Sequence, residues 1–314
     1  MGGRPKKRPA GDGEPSRNRY APGRLDDGSN DHLIIRSLRV PRTLVGLGVG
    51  VALGLSGAVM QGVTRNPLAG PGILGVNAGA SLAVVIAIYT FGIGNLSVYV
   101  WFAFVGAAVA SVVVYGLGSL GRDGATPMKL VLAGAAVSAL LGALTTAVLL
   151  LDVARLDQFR FWVAGSLAGR DAGIAVQVAP FLIVGGVLAL GSGRSLNTLS
   201  LGDDVARSLG ASVGLARAAG ALAVILLTGA AVAAAGPIGF VGLTVPHIAR
   251  AITGPDYRWV LPYSAVLAPI LLLGADIVGR VVARPGELQV GIVTALVGAP
   301  FFIALVRRRK LAEF

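Results

Sequence analysis

The chain has 314 residues, of which 54% are hydrophobic and only 13% charged, with a mean hydropathy of +0.77. Soluble domains carry about 25% charged residues, so this composition excludes disorder and argues against a soluble enzyme, whose core could not hide such apolar runs. The absence of cysteine excludes disulfides, thiolate zinc sites, cysteine nucleophiles and cysteine-ligated iron–sulfur clusters, and two histidines, His32 and His247, are too few for a histidine metal cage within one chain.

The formal net charge is +12, with ten basic and five acidic residues in 1–42 and seventeen and ten in the remainder. A high pI can signal nucleic acid. Here most of the later basic residues sit in short loops between apolar segments, which is a membrane pattern, and no nucleic-acid partner is expected. Residues 1–38 form a basic Gly/Pro/Arg-rich tail whose composition predicts disorder. The tail has no apolar h-region and is not a signal peptide. His32–Leu38 is too short to span.

A span needs about 20 apolar residues. Eight segments qualify: 43–63, 73–92, 97–118, 130–151, 172–191, 218–236, 260–280 and 288–306. A ninth, 237–252, is short and broken by Pro237 and Pro246. The sequence therefore predicts an all-α polytopic membrane protein with nine spans, one membrane domain over 39–310 and no folded soluble module.

In the first span Gly46, Gly50, Gly54, Ala58 and Gly62 recur every four residues and share one helix face. Such a face lets helices approach closely. Gly134, Ser138, Gly142 and Thr146 repeat the pattern in the fourth span, as do Gly291, Ala295 and Ala299 in the last. Tight packing is one reading, and a wide, weakly polar pathway along some of these faces is the other. Two inner loops, Asn66-Pro67-Leu68 and Thr126-Pro127-Met128, carry residues that punctuate turns. The longest inner loop is 192–217. Within it Leu199–Gly210 predicts a short amphipathic helix closed by a glycine. His247, after Pro246, reads as structural rather than as a ligand. Asp276 is the one acid well inside a span. Arg280, four residues on, predicts a local ion pair rather than a proton relay. Glu287 opens the last span, where an acid suits the helix dipole.

The terminal Arg307-Arg308-Arg309-Lys310 places the C-terminus inside. Counting back, twelve basic residues fall on the inner side and five on the outer. Nine crossings leave the basic tail outside, which conflicts with its charge. No phosphate-cradling G-x-x-x-x-G-K-[ST] occurs, and no catalytic triad or carboxylate pair. A pathway with no energy source of its own suggests a permease driven by a separate ATPase.

Arg39-Val-Pro-Arg42, Ser56–Gly62 with Arg65–Ala69, Pro71–Gly79, Gly236–His247, Ala275–Arg280 and Pro285–Leu288 follow one another in an order that resembles the FecCD permeases of type II ABC importers. These import iron–siderophore, haem or cobalamin. Gln158–Leu167 looks most like the ferric-enterobactin type. The resemblance implies a BtuC-like fold in a bacterial cytoplasmic membrane, with ten spans and both ends inside. The first of those spans precedes the Arg-x-Pro-Arg block, and the basic tail stands in its place here, which accounts for the parity conflict.

The resemblance further implies that Arg39, Arg42 and Arg280 receive acidic residues of an extracytoplasmic substrate-binding protein. Snorkelling is the plainer alternative. Leu199, Gly202, Ala206, Arg207, Leu209 and Gly210 would form a coupling helix on the ATPase, and Asn66–Leu68 and Thr126–Met128 a cytoplasmic gate. The expected partners are two ATPase subunits, a second permease, identical or similar, and membrane lipid, with a ferric siderophore as cargo. No cofactor, metal site or covalent chemistry is expected. A secondary transporter dependent on Asp276, or a scaffold paralogue that lost transport, are the readings of another class.

Overall fold

The computed structural model describes residues 34–91, 96–120, 126–151 and 156–309. Of the predicted tail 1–38, residues 1–33 lie outside the described residues, and 34–38 are helical rather than disordered. The described chain is helical, without strands. A π-helical turn, Ile35–Arg39, runs directly into α1 (Val40–Thr64). Arg39 and Arg42 are therefore within the first long helix rather than ahead of it, and helix begins before the expected domain start at residue 39. A 3₁₀ turn, Pro71–Leu74, leads to α2 (Val76–Phe91), α3 (Leu96–Gly118) and α4 (Pro127–Leu151). The short α5 (Leu156–Val163) and α6 (Ala172–Gly191) follow. Then come α7 (Gly193–Ser200), α8 (Asp203–Ser208) and α9 (Val213–Ala235). The chain ends in α10 (Val241–Thr253), α11 (Tyr257–Val282) and α12 (Val290–Arg309).

Six of these are long and apolar enough to cross a membrane: the helix that includes α1, then α3, α4, α6, α9 and α11. The expected second, seventh and ninth crossings correspond to α2, α10 and α12. Among the described residues their apolar stretches are shorter; the loop with Pro237 delays α10, and α12 turns basic at Arg307.

α1 and α9 form the centre. Of the apolar window of each, 72% is buried within the chain, against 11% for α4. The first-span glycines explain how α1 can be so enclosed. A Cβ on Gly50 would lie 2.5 Å from Pro269 Cα of α11, and one on Gly46 2.6 Å from the Leu273 side chain. Gly54 abuts the Ser264 carbonyl, and Gly57 abuts the Gly242 carbonyl of α10. Gly62 meets Leu196 and Tyr257, and Ala58 is fully buried. In hydrocarbon there is no hydrophobic drive between helices, so this backbone proximity supplies the cohesion.

The fourth-span stripe behaves differently. Gly134 abuts the Ile73 carbonyl, but Gly142 faces open space and Thr146 is exposed. Leu132, Leu140 and Leu144 on α4 and Val176, Ile183 and Val187 on α6 are exposed apolar side chains. In water they would be a liability; against lipid or another apolar chain they are at home.

Candidate functional sites at the two ends of the bundle

At the end where α1 begins, Arg42 projects from the first helical turn toward α11. Its Nε donates to Asp276 Oδ2 at 3.0 Å and its Nη2 to Oδ1 at 2.8 Å, a bidentate fork. Its Nη1 donates to Glu287 Oε2 at 2.9 Å. Arg280 Nε lies 3.3 Å from Asp276 Oδ2. Asp276 is thus shared by two arginines, and its main partner is Arg42 of a distant helix rather than Arg280 one turn away. The burial explains this. With its side chain 3% exposed, Asp276 needs more than one i+4 partner to offset desolvation. Glu287 precedes α12 by three residues and serves as a partner for Arg42 rather than as a helix-dipole acid.

Of the three expected docking arginines, only Arg39 is exposed with no carboxylate partner among the described residues. Arg280 is partly open, and Arg42 is largely enclosed. Arg170, in the loop before α6, is buried and donates from Nε to the Ser166 carbonyl at 3.1 Å. Burial lowers its pKa to about 10, so it stays charged at neutral pH.

At the opposite end the expected helix Leu199–Gly210 is divided. Gly202, at φ +100°, breaks it into the end of α7 and the single-turn α8; that conformation is open to glycine alone at little cost. Leu199 and Ala206 are buried and hold α7 and α8 against the bundle. Leu201, Val205 and Leu209 are the exposed apolar side chains here, and Arg207 is exposed beside them. Leu201 and Val205 were not picked out by the sequence, because the break at Gly202 resets the helical phase. Gly210, at φ +80°, closes the turn.

Asp203, the first residue of α8, gathers three arginines. Arg217 Nη2 donates to Oδ1 at 2.8 Å, Arg65 Nη2 lies 3.2 Å from the same oxygen, and Arg207 Nη2 lies 3.8 Å from Oδ2. Arg65 terminates α1 at φ +51°, a left-handed cap that glycine usually supplies. An arginine there reaches Asp203. α8 is therefore tied electrostatically to the end of α1 and the start of α9.

The two candidate gate loops lie at this end. Asn66 Oδ1 accepts from Leu68 N at 2.9 Å, an Asx turn, and Pro67 sits between them. Pro127 occupies the first position of α4, preceded by Thr126, whose Oγ1 accepts from Lys129 N at 3.4 Å; Met128 is exposed. Arg65, Thr126 and α8 line one polar cavity of about 610 Å³.

Also toward this end, Arg250 Nη2 donates to the buried Gln61 Oε1, and Gln61 Nε2 donates to the Leu243 carbonyl at 3.2 Å. Asn197 Nδ2 donates to Asp256 Oδ1 at 2.6 Å, and Tyr257 N donates to Asn197 Oδ1 at 2.8 Å. The His247 ring stands edge-on to Phe301. Among the described residues no cluster of three His, Cys, Asp or Glu could hold a metal ion.

The model of the FecCD transport family matches residues 19–308. The chain belongs to the FecCD transport family. It is 48% identical over 281 residues to the ferric enterobactin transport system permease protein FepD of Escherichia coli K12, covering 90% of this chain and 84% of the relative. It is 46% identical over 284 residues to the Fe(3+)-citrate import system permease protein YfmD of Bacillus subtilis 168, with 90% and 84% covered. Among solved structures, an inward-facing metal-chelate type ABC transporter aligns with a TM-score of 0.81 at 30% identity, covering 93% of this chain and 92% of that one. As a FecCD chain it is a transport permease of the membrane, and its helices share the architecture of that transporter.

Proposed function

We propose that this chain is the permease subunit of an ATP-driven importer that carries a ferric siderophore across the bacterial cytoplasmic membrane. The observation that carries the proposal is α8: a single turn with Leu201, Val205 and Leu209 exposed around it, anchored by Asp203 to α1 and α9. Such a knob on a membrane chain suits a groove on a soluble partner. The chain itself has no nucleotide-binding motif, so hydrolysis belongs to two separate ATPase subunits. A second permease, identical or similar, would complete the path, and the exposed faces of α4 and α12 are available to it. Similarity to permeases named for ferric enterobactin and Fe(3+)-citrate favours iron chelates as cargo, ahead of haem or cobalamin.

On the outer side a substrate-binding protein docks through carboxylates on Arg39 and Arg280. Exposed arginines steer such an approach and hold acids bidentately. Arg42 contributes by fixing that corner through Asp276. ATP-driven movement of α8 reaches α1 and α9 through Arg65 and Arg217. Asn66–Leu68 and Thr126–Met128 gate the inner mouth, and access alternates between sides. No covalent chemistry occurs in this chain.

Val205→Asp with Leu209→Asp tests the reading in the full transporter. Uptake and the ATPase stimulation caused by loaded binding protein should be lost, with the permease still present in the membrane. Undiminished uptake would refute the coupling role.

A further inference from the structure

The inner-side arginines are mostly satisfied by acids. Arg65, Arg207 and Arg217 face Asp203, and Arg258 faces Asp256. Arg194 is different. It lies in the first turn of α7, just past the inner end of α6, is exposed, and has no carboxylate partner among the described residues. It borders a cavity of about 550 Å³ between α6, α7 and the start of α9. Ser195 and Ser212 bring hydroxyls to the same cavity, and neither hydroxyl bonds another described residue. The other wall is apolar. Val187, Leu215 and Ala219 line it, and the first two are exposed along the sides of spanning helices.

We propose that this cavity binds the headgroup of an anionic phospholipid from the inner leaflet, with its acyl chains lying along Val187 and Leu215. The cation and the hydroxyls match a phosphate ester. The apolar wall has no use for a free anion but continues the surface that hydrocarbon chains cover. The volume falls within the roughly 300–1,000 Å³ of small-molecule sites, enough for a headgroup whose chains remain in the bilayer. Basic pockets between spanning helices on the cytoplasmic side hold anionic headgroups in this way. Gly210 and Ala211, which connect α8 to α9, line the same cavity. A bound lipid therefore touches the segment that carries α8 and links the inner leaflet to the coupling region.

The full-length chain, purified in mild detergent from membranes rich in phosphatidylglycerol, is examined by native mass spectrometry. One phosphatidylglycerol should persist after the remaining lipid is stripped, and phosphatidylcholine should not replace it. Arg194→Gln should lower its occupancy roughly tenfold, as loss of a charge-assisted contact does. Ala219→Trp, which fills the cavity and keeps the charge, should lower it similarly. If Ala219→Trp fails to fold, Arg194→Gln decides alone. Equal occupancy in Arg194→Gln and the parent would overturn the proposal. Displacement of the lipid by millimolar inorganic phosphate would also overturn it, in favour of a free-anion site.

Discussion

Asp276 and Asp203 are both carboxylates shared by several arginines, one at each end of the bundle, yet they are built differently. Asp276 is enclosed, gripped bidentately by Arg42 and backed by Arg280. Asp203 is 21% exposed and makes three separate single contacts, with one partner, Arg217, enclosed and another, Arg207, open to solvent. A dry, bidentate pair has few alternative arrangements. A wet hub with several ligands can exchange them at little cost, because water replaces each lost contact. Under the proposed function the outer corner acts as a fixed brace beneath the proposed docking surface, and the inner one as a joint between α8 and the ends of α1 and α9.

The largest effect expected from this contrast is at the brace. Asp276→Ala leaves the largely enclosed Arg42 with Glu287 as its remaining carboxylate and should destabilise the protein by about 3 kcal/mol, read as thermal unfolding in detergent. Replacing the pair together, Arg42→Met with Asp276→Leu, should recover most of that loss. Asp203→Ala should cost less, about 2 kcal/mol, through loss of its contact with the enclosed Arg217. Its stronger signature is functional: ATP hydrolysis by the assembled transporter persists while uptake per ATP falls. If Asp203→Ala destabilised as much as Asp276→Ala with coupling intact, the distinction between brace and joint would be lost.

Arg207→Gln removes only an exposed, long contact and should change stability by less than about 0.5 kcal/mol. The smallest effect concerns Asp256, a solvent-facing acid at the start of α11 that serves as a control. The Arg258 guanidinium, together with Asn197, holds its carboxyl well below the usual carboxylate range. A depressed folded-state pKa adds stability that is complete above the unfolded value of about 3.9 and is lost as pH falls below it. Between pH 5 and 3 the parent should lose slightly more thermal stability than Asp256→Asn. Parallel curves would show that the Asp256 contacts contribute nothing.

Much of the bundle could be read from hydropathy alone, because hydrocarbon imposes length and composition on each crossing. The family was legible from blocks such as Arg39–Arg42 and Gly236–His247 in their order. The four-residue spacing of Gly46, Gly50 and Gly54 also pointed to a close helix neighbour, although nothing in it named α11. What spacing could not supply was contact across the fold. Arg42 and Asp276 are 234 residues apart, so only the nearer Arg280 suggested itself as a partner. Leu199 and Ala206 looked like parts of one amphipathic face until Gly202, at φ +100°, turned the chain and exposed Leu201 and Val205 instead. Glycine permits such a reset without demanding it.

The central claim is that this chain is a conduit moved by nucleotide hydrolysis elsewhere. It is tested most directly in proteoliposomes holding either the purified chain alone or the chain with its ATPase subunits and loaded binding protein. The account predicts ATP-dependent accumulation of the ferric chelate only in the complete assembly, abolished when hydrolysis is blocked. Accumulation against a gradient by the purified chain alone, under an imposed proton or sodium gradient, would contradict it.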